Sequence, residues 1–333
     1  MPLNIGVIGL GVGEAHARAG ASHQESVVTY LCDISKERLG QIAAQHPGAA
    51  TTTDPGAVLC DPAIDVVVIA SYDDNHYEQT MIALKNGKHV FVEKPVCIFA
   101  HEAKELRNEI ERRPGQLFFS NLILRLSARF MRLKELIEQG QLGELYAMEG
   151  DYNYGRLSKI IDGWRGQQAF YSIVNGGGVH LIDQMLWLAG ERINEVMAYG
   201  SNIVTRDTGF RYNDYVSSLL SFRSGLIGKM AANFGCVYPH FHPFRVYGDA
   251  GTFINNRGDA ELYRSCEQEK KPDLISDSYP GVDKGDLFLN FLDTITGDAK
   301  PVVTRDEIFD SMAVCFAIDE SVKKGGPVTV EYL

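Results

Sequence analysis

Lys94 and Glu93 stand at the end of an apolar run, HVFV at 89–92, and Pro95 fixes the backbone directly after them. The run reads as a parallel strand buried on both faces. A Lys carried to its carboxyl end must be solvated, paired with Glu93, or used in chemistry. A second candidate group lies far along the chain. His180 and Asp183 are three residues apart in HLIDQMLWLAG (180–190), where the periodicity predicts a helix opening near His180 after glycines 176–178. An imidazole titrates near neutrality, so His180 can take a hydroxyl proton as a hydride leaves the same carbon. The plainer alternatives are a helix-end His satisfied by backbone and an Asp183 that serves only the fold.

Hydride chemistry needs an acceptor, and the first third of the chain has a pattern that can hold one. NIGVIGLGV (4–12) is a β-branched run broken by Gly9 and Gly11, with Gly13 following and EAHARAGA opening as helices do. Glycines between strand and helix let the backbone approach a pyrophosphate at the helix N-terminus. The third glycine of a G-x-G-x-x-G pattern arrives one residue early, with Glu14 in its place. SVVTYLCD (26–33) reads as a second strand ending in Asp33, 22 residues beyond Gly11. Its carboxylate can accept from the adenosine ribose hydroxyls and repel a 2′-phosphate, which favours NAD over NADP. Arg38, about one helical turn on, keeps NADP open, and Asp33 can equally N-cap the helix that starts near Ser35.

Further strands are read at DVVVIAS (65–71), HVFVEK (89–94) and LFFSN (117–121), with a helix in 72–87 closed by Gly87. Strands alternating with helices predict an α/β doubly wound parallel sheet with its ligand at the carboxyl ends of the strands. The loop residues Gly9, Gly11, Val12 and Gly13, with Asp33, Ser71, Asn75, His76, Glu93 and Lys94, lie at that edge. From 122 the character changes. A helix at 123–143 closes at Gly140 or Gly143, and long alternating stretches follow, including SFRSGLIGKM, which reads as a hairpin. These predict a large, mostly antiparallel sheet. Thr304 and Glu307 form a capping box for a helix over 304–326, and 267–285 reads as a surface loop. Asn121, Arg125, Tyr152, Tyr154, Arg156, Trp164, Arg165 and His180 are the candidate substrate residues. Rings stacked on a sugar face and guanidiniums on an anion are ordinary means of carbohydrate recognition.

Composition sets the outer limits. The 333 residues suffice for about two domains. The net charge of −11 argues against nucleic acid and anionic membrane as partners. No run of about 18 apolar residues predicts a membrane span, and the N-terminus lacks the basic region of a signal peptide. Six scattered cysteines without a Cys-x-x-Cys pair predict reduced thiols in the cytoplasm and no Cys-based zinc site. His240 and His242 have metal-like spacing but no acidic cluster nearby, so a polar loop is expected and no metal.

Five elements together, GLGVGEAH (9–16), Asp33, DVVVIAS with Asn75 and His76, GKHVFVEKP (87–95) and GGGVHLID (176–183), resemble the glucose–fructose oxidoreductase / inositol dehydrogenase family, Gfo/Idh/MocA. The resemblance covers nearly the whole chain. It implies a Rossmann domain over 1–121, a substrate-binding and oligomerisation α+β domain with an open sheet over 122–303, and a C-terminal helix, 304–333, returning to the Rossmann domain. It implies Lys94 beside the nicotinamide and the reacting hydroxyl, His180 as the catalytic His, and a Lys94–Pro95 peptide that can be cis. It further implies a homodimer or homotetramer formed through the open sheet. Gly13 and His16 keep the family's Gly-to-His spacing, so the loop is one residue shorter. One departure bears on chemistry: many relatives carry an Asp four residues before the catalytic His, where this chain has Gly176, and its part would fall to Asp183, Asp162 or a tyrosine. The implied activity is NAD-dependent hydride transfer between nicotinamide and a secondary alcohol or ketone of a sugar, sugar acid, polyol or nucleotide sugar. The alternatives are an NAD-retaining, redox-neutral glycosidase- or epimerase-like enzyme, and a catalytically silent sugar- or NAD-sensing protein.

Overall fold

The computed structural model describes residues 2–333. Six β-branched or aromatic runs form the first sheet: β1 Leu3–Ile8, β2 Ser26–Cys32, β3 Ala50–Thr52, β4 Val66–Ile69, β5 His89–Val92 and β6 Phe118–Ser120. Their order is β3-β2-β1-β4-β5-β6, all parallel, so the chain reverses its direction of winding between β1 and β4. β4 is buried along its whole length, which is why Val66–Ile69 shows no polar alternation. The crossovers carry α1 Gly13–Ser22, α2 Lys36–Ala43, α3 Pro55–Leu59, α4 His76–Lys85 and α5 Ala100–Glu111. This is the doubly wound sheet expected from the alternating pattern; β3, only three residues long, carries too little pattern to be foreseen.

The second sheet has nine strands: β7 Leu145–Asn153, β8 Ile193–Ser201, β9 Tyr215–Phe222, β10 Ile227–Asn233, β11 Phe244–Gly248, β12 Thr252–Asn255, β13 Ala260–Tyr263, β14 Asp273–Ile275 and β15 Val328–Thr329. All its pairings are antiparallel except β7 with β10. The predicted hairpin is β9–β10, turned at Gly225 with φ 97°. Helices α6 Ala128–Glu138, α7 Ser158–Ile161, α8 Trp164–Gln167 and α9 Val179–Ala189 accompany it. α9 is entered through a π-helical turn, Val174–Gly178, which contains the three glycines.

The last part of the chain is divided between the two compact units. The first unit comprises 1–123, 283–309 and 333; the second comprises 124–282 and 310–332. Sequence had placed 122–303 in one domain and 304–333 with the nucleotide half. The difference has a packing cause. α10 (Asp286–Thr296) sets Phe288 against Phe91 at 5.1 Å and Phe291 against Phe119 at 4.8 Å, which ties it to the parallel sheet. α11 (Arg305–Lys324), opened by the Thr304–Glu307 capping box, commits its later turns to the other unit. There Ser321 accepts from the Ala198 amide, Asp319 accepts from Ser172, and β15 pairs with β8. Among the described residues no helix is long and apolar enough to cross a membrane, and all six cysteines are free.

Candidate active site

The nucleotide loop is shaped by what its glycines leave out. Gly9, at φ 84°, ends β1, and a Cβ there would lie 2.3 Å from the Ala70 carbonyl oxygen. Gly13 begins α1, where a Cβ would press on Val7 at 3.0 Å, so its role is close helix–strand packing. Gly11 is exposed, and a Cβ there would meet only Arg38 Nη1, at 3.2 Å. An open glycine before a helix whose N-cap, Val12, makes no side-chain cap hydrogen bond fits a pyrophosphate. Asp33 is buried and already engaged: Oδ2 accepts from the Leu10 amide at 2.7 Å and Oδ1 from the Ser35 amide at 2.8 Å. It fastens the glycine loop to the turn after β2. The N-cap of α2 is Ser35, whose hydroxyl accepts from the Arg38 amide.

The strand end that carries Lys94 rests on a buried network. Glu93 Oε1 accepts from Asn121 Nδ2 at 2.7 Å and lies 2.9 Å from His16 Nε2. Burial alone would raise the Glu93 pKa. The hydrogen bond and charge of His16, the charge of Lys94 and the Asn121 amide outweigh it and lower the pKa to about 2. Glu93 is therefore a fixed negative charge beside Lys94. Asn121, expected among the substrate residues, instead donates to Glu93 and, at 3.4 Å, to the Lys284 carbonyl. The Lys94–Pro95 peptide is cis.

His76 stands behind that turn. Its Nδ1 is 2.6 Å from the Pro95 carbonyl oxygen and its Nε2 is 3.1 Å from that of Ser71. It was expected as a cofactor contact; buried between two carbonyls, it pins the chain leaving Lys94 to the end of β4. Ser71 donates its hydroxyl to Gln79, and exposed Asn75 donates to Asp74.

In the second unit, His180 is buried in the first turn of α9, and its ring lies parallel to Tyr152, centroids 6.1 Å apart. Tyr152 continues to Tyr154 at 6.3 Å, and both rings pack on Phe234. The guanidinium carbons of Arg156 and Arg165 lie 5.5 and 6.0 Å from the Tyr154 ring centre. Arg165 also stacks on Trp164 at 4.4 Å. Six of the predicted substrate residues thus share one cluster. Two do not, being Asn121 and Arg125. Arg125 Nη2 donates to Asp183 Oδ1 at 2.7 Å, and Nε donates to both carboxylate oxygens at 3.0–3.1 Å, with both side chains almost fully buried. The helical face shared by His180 and Asp183 is real, but Asp183 is committed to Arg125. This bidentate pair, removed from solvent, ties Arg125 to α9.

The site also includes residues that sequence reading did not assign to it. His240 and His242 lie 5.3 and 4.8 Å from Tyr152. His242 Nδ1 meets the Tyr279 hydroxyl, and burial, then His240 and Arg156, push its pKa down to about 3. Tyr171 fills the space beside Gly176: a Cβ at 176 would lie 2.3 Å from its hydroxyl oxygen, which accepts from Arg165 Nε at 3.0 Å. Of the three groups considered for the part of the acid absent at 176, a tyrosine, Tyr171, is the one that packs against Gly176. The only signal was the HFH spacing for the histidines; for Tyr171 there was none.

Comparison with known proteins agrees with this architecture. The family model described as "Oxidoreductase family, NAD-binding Rossmann fold" (GFO_IDH_MocA) matches residues 3–120, and the GFO/IDH/MocA C-terminal domain matches 130–254. The chain is 26% identical over 274 residues to the myo-inositol 2-dehydrogenase of Thermotoga maritima, covering 80% of this chain and 79% of that protein. It is 27% identical over 312 residues to the Bacillus subtilis scyllo-inositol 2-dehydrogenase (NADP(+)) IolW, covering 90% and 82%. A solved levoglucosan dehydrogenase, in complex with NADH and levoglucosan, shares the fold at TM-score 0.85 and 21% identity, over 99% of this chain and all of that one.

Proposed function

The chain belongs to the Gfo/Idh/MocA oxidoreductase family, and from that premise we propose that it is an NAD-dependent dehydrogenase acting on a secondary alcohol of a sugar or polyol. The observation that carries the reading is the strand end at Glu93-Lys94-Pro95, held by buried His16, Asn121 and His76 on the sheet whose first strand opens the glycine loop. Bound nicotinamide would supply the hydride acceptor. Lys94 hydrogen-bonds the reacting oxygen and stabilises charge on it, and His180 takes the hydroxyl proton. Gly11 and the amides opening α1 would hold the pyrophosphate. Asp33, whose oxygens already accept the Leu10 and Ser35 amides, would use its remaining lone pairs for the adenosine ribose, which favours NAD; Arg38 beside Gly11 is the feature through which NADP would compete.

The outward face of the second sheet carries exposed Tyr199, Leu219 and Ile227, and the reading assigns it to a homodimer or homotetramer. Free cysteines suit a reducing compartment, the cytoplasm.

The test is absorbance at 340 nm with NAD, then NADP, against sugars, polyols and sugar acids. NADH accumulation that falls by about 10²-fold or more in Lys94→Ala and in His180→Ala supports the reading. Protein that binds NAD yet converts substrate without releasing NADH assigns the redox-neutral alternative, and protein that binds neither nucleotide overturns the cofactor loop.

A further inference from the structure

Arg156 is an exposed guanidinium in an unusual place. It lies over the buried ring of Tyr154, and among the described residues its side chain pairs with no carboxylate and hydrogen-bonds no protein group. The Arg165 guanidinium carbon lies 6.0 Å from the centre of the same ring, with its Nε donating to the Tyr171 hydroxyl. With no carboxylate beside it, the Arg156 guanidinium is open to an anion, which it can pair with through two parallel N–H donors. A third polar group belongs to the same cluster. His242 is buried, Nδ1 faces the Tyr279 hydroxyl, and Nε2 has no protein partner. If Tyr279 donates to Nδ1 of the neutral ring, Nε2 carries the hydrogen and is a donor. Tyr152 joins this cluster to His180 through stacked rings, so the cationic end and the proton acceptor lie along one run of side chains.

We propose that Arg156, with Arg165 beside it, binds an anionic substituent on the substrate, so that this chain takes sugar acids or sugar phosphates in preference to neutral sugars. The inference rests on the dehydrogenase reading for its substrate class, but the anion site itself does not require turnover. Planar guanidiniums bind carboxylate and phosphate oxygens in pairs, which neutral hydroxyls cannot match.

Isothermal titration of the full chain in the presence of NADH, with D-glucuronate, D-glucose 6-phosphate and D-glucose as probes, decides it. At least one anion should bind about tenfold or more tightly than glucose, and which one does so distinguishes carboxylate from phosphate. Arg156→Gln should reduce that advantage to about twofold or less, whereas Arg132→Gln, on the surface of α6, should leave it intact. Glucose binding as tightly as both anions, no binding of either anion, or an advantage that survives Arg156→Gln would each overturn the proposal. NADH binding, followed by fluorescence in the same samples, reports on the dehydrogenase reading separately. Should it fail, the three titrations repeated without nucleotide still decide the anion site.

Discussion

Two interior carboxylates, one in each unit, respond to burial in opposite ways. Glu93 Oε1 has His16 Nε2 and Asn121 Nδ2 within 3 Å and Lys94 next in sequence, and its pKa falls to about 2. Asp319, on α11, has a single hydroxyl donor, Ser172 Oγ at 2.9 Å, and burial carries its pKa up to about 7. Burial raises both; the number and charge of the donors decide the outcome. The ionised Glu93 is a fixed charge that orders the strand end carrying Lys94. Asp319 sits at the edge of ionisation, behind the segment that leads to His180. Ser172 relays between them: it donates to Asp319 and accepts from the amides of Val174 and Asn175, which open the π-helical turn before α9.

The largest effect should come from breaking the better-supplied site. His16→Leu keeps an apolar body between Phe91 and Phe288 but removes a donor from a buried, charged carboxylate. We expect a loss of about 3 kcal/mol in unfolding free energy at pH 7, measured by urea denaturation. The Glu93 pKa is depressed in the folded chain, so its contribution is present above about pH 4.5 and lost as pH falls toward 2. The His16→Leu deficit should therefore shrink over that range. The double variant His16→Leu, Glu93→Leu should recover part of the loss, since no buried carboxylate is then left short of a donor, although Asn121 Nδ2 keeps only the Lys284 carbonyl at 3.4 Å. A single variant as stable as the parent would remove Glu93 from the account of Lys94.

The same contrast marks how far sequence could be read. The first sheet was legible because each part is local: a β-branched run, a glycine where φ is positive or a helix packs closely, an acid at a strand end. β1, β2, β4, β5 and α9 fall where the pattern put them. What could not be read is what each polar group faces. His16 and Glu93 are 77 positions apart, Arg125 and Asp183 are 58 apart, and Ser172 and Asp319 are 147 apart. No periodicity links such pairs. The spacing of His180 and Asp183 correctly gave a common face, but spacing does not say that Arg125 waits beneath one of them. Gly176 read as a missing acid because a glycine reveals nothing about the Tyr171 ring that requires it.

A smaller effect should appear at Asp319. Its folded pKa is raised, so the folded chain holds a proton that the unfolded chain has released, and stability should fall as pH rises from about 3.8 to about 7. Asp319→Asn cannot ionise and should lose that slope. At pH 8 it should exceed the parent by on the order of 1–2 kcal/mol, a figure reduced for the partial exposure of this residue. Thermal melts of both proteins at pH 5, 6, 7 and 8 should diverge steadily with pH. Parallel curves would mean that Asp319 ionises as easily folded as unfolded.

The smallest effect sharpens the comparison further, because it separates the relay from the charge. Ser172→Ala deletes the one donor Asp319 has and the acceptor of the Val174 and Asn175 amides. At pH 5, where Asp319 is protonated, the cost should be about 1 kcal/mol, the net worth of ordinary hydrogen bonds. At pH 8 the carboxylate is ionised and the lost bond is charge-assisted, so the cost should about double. A cost that does not grow with pH would show that Ser172 serves only the amides of the π-helical turn. Growth that persists when Ser172→Ala is placed in the Asp319→Asn background would show that another group titrates there. Growth that vanishes in that background assigns the pH response to the Ser172–Asp319 bond, a contact through which ionisation on α11 reaches the turn before His180.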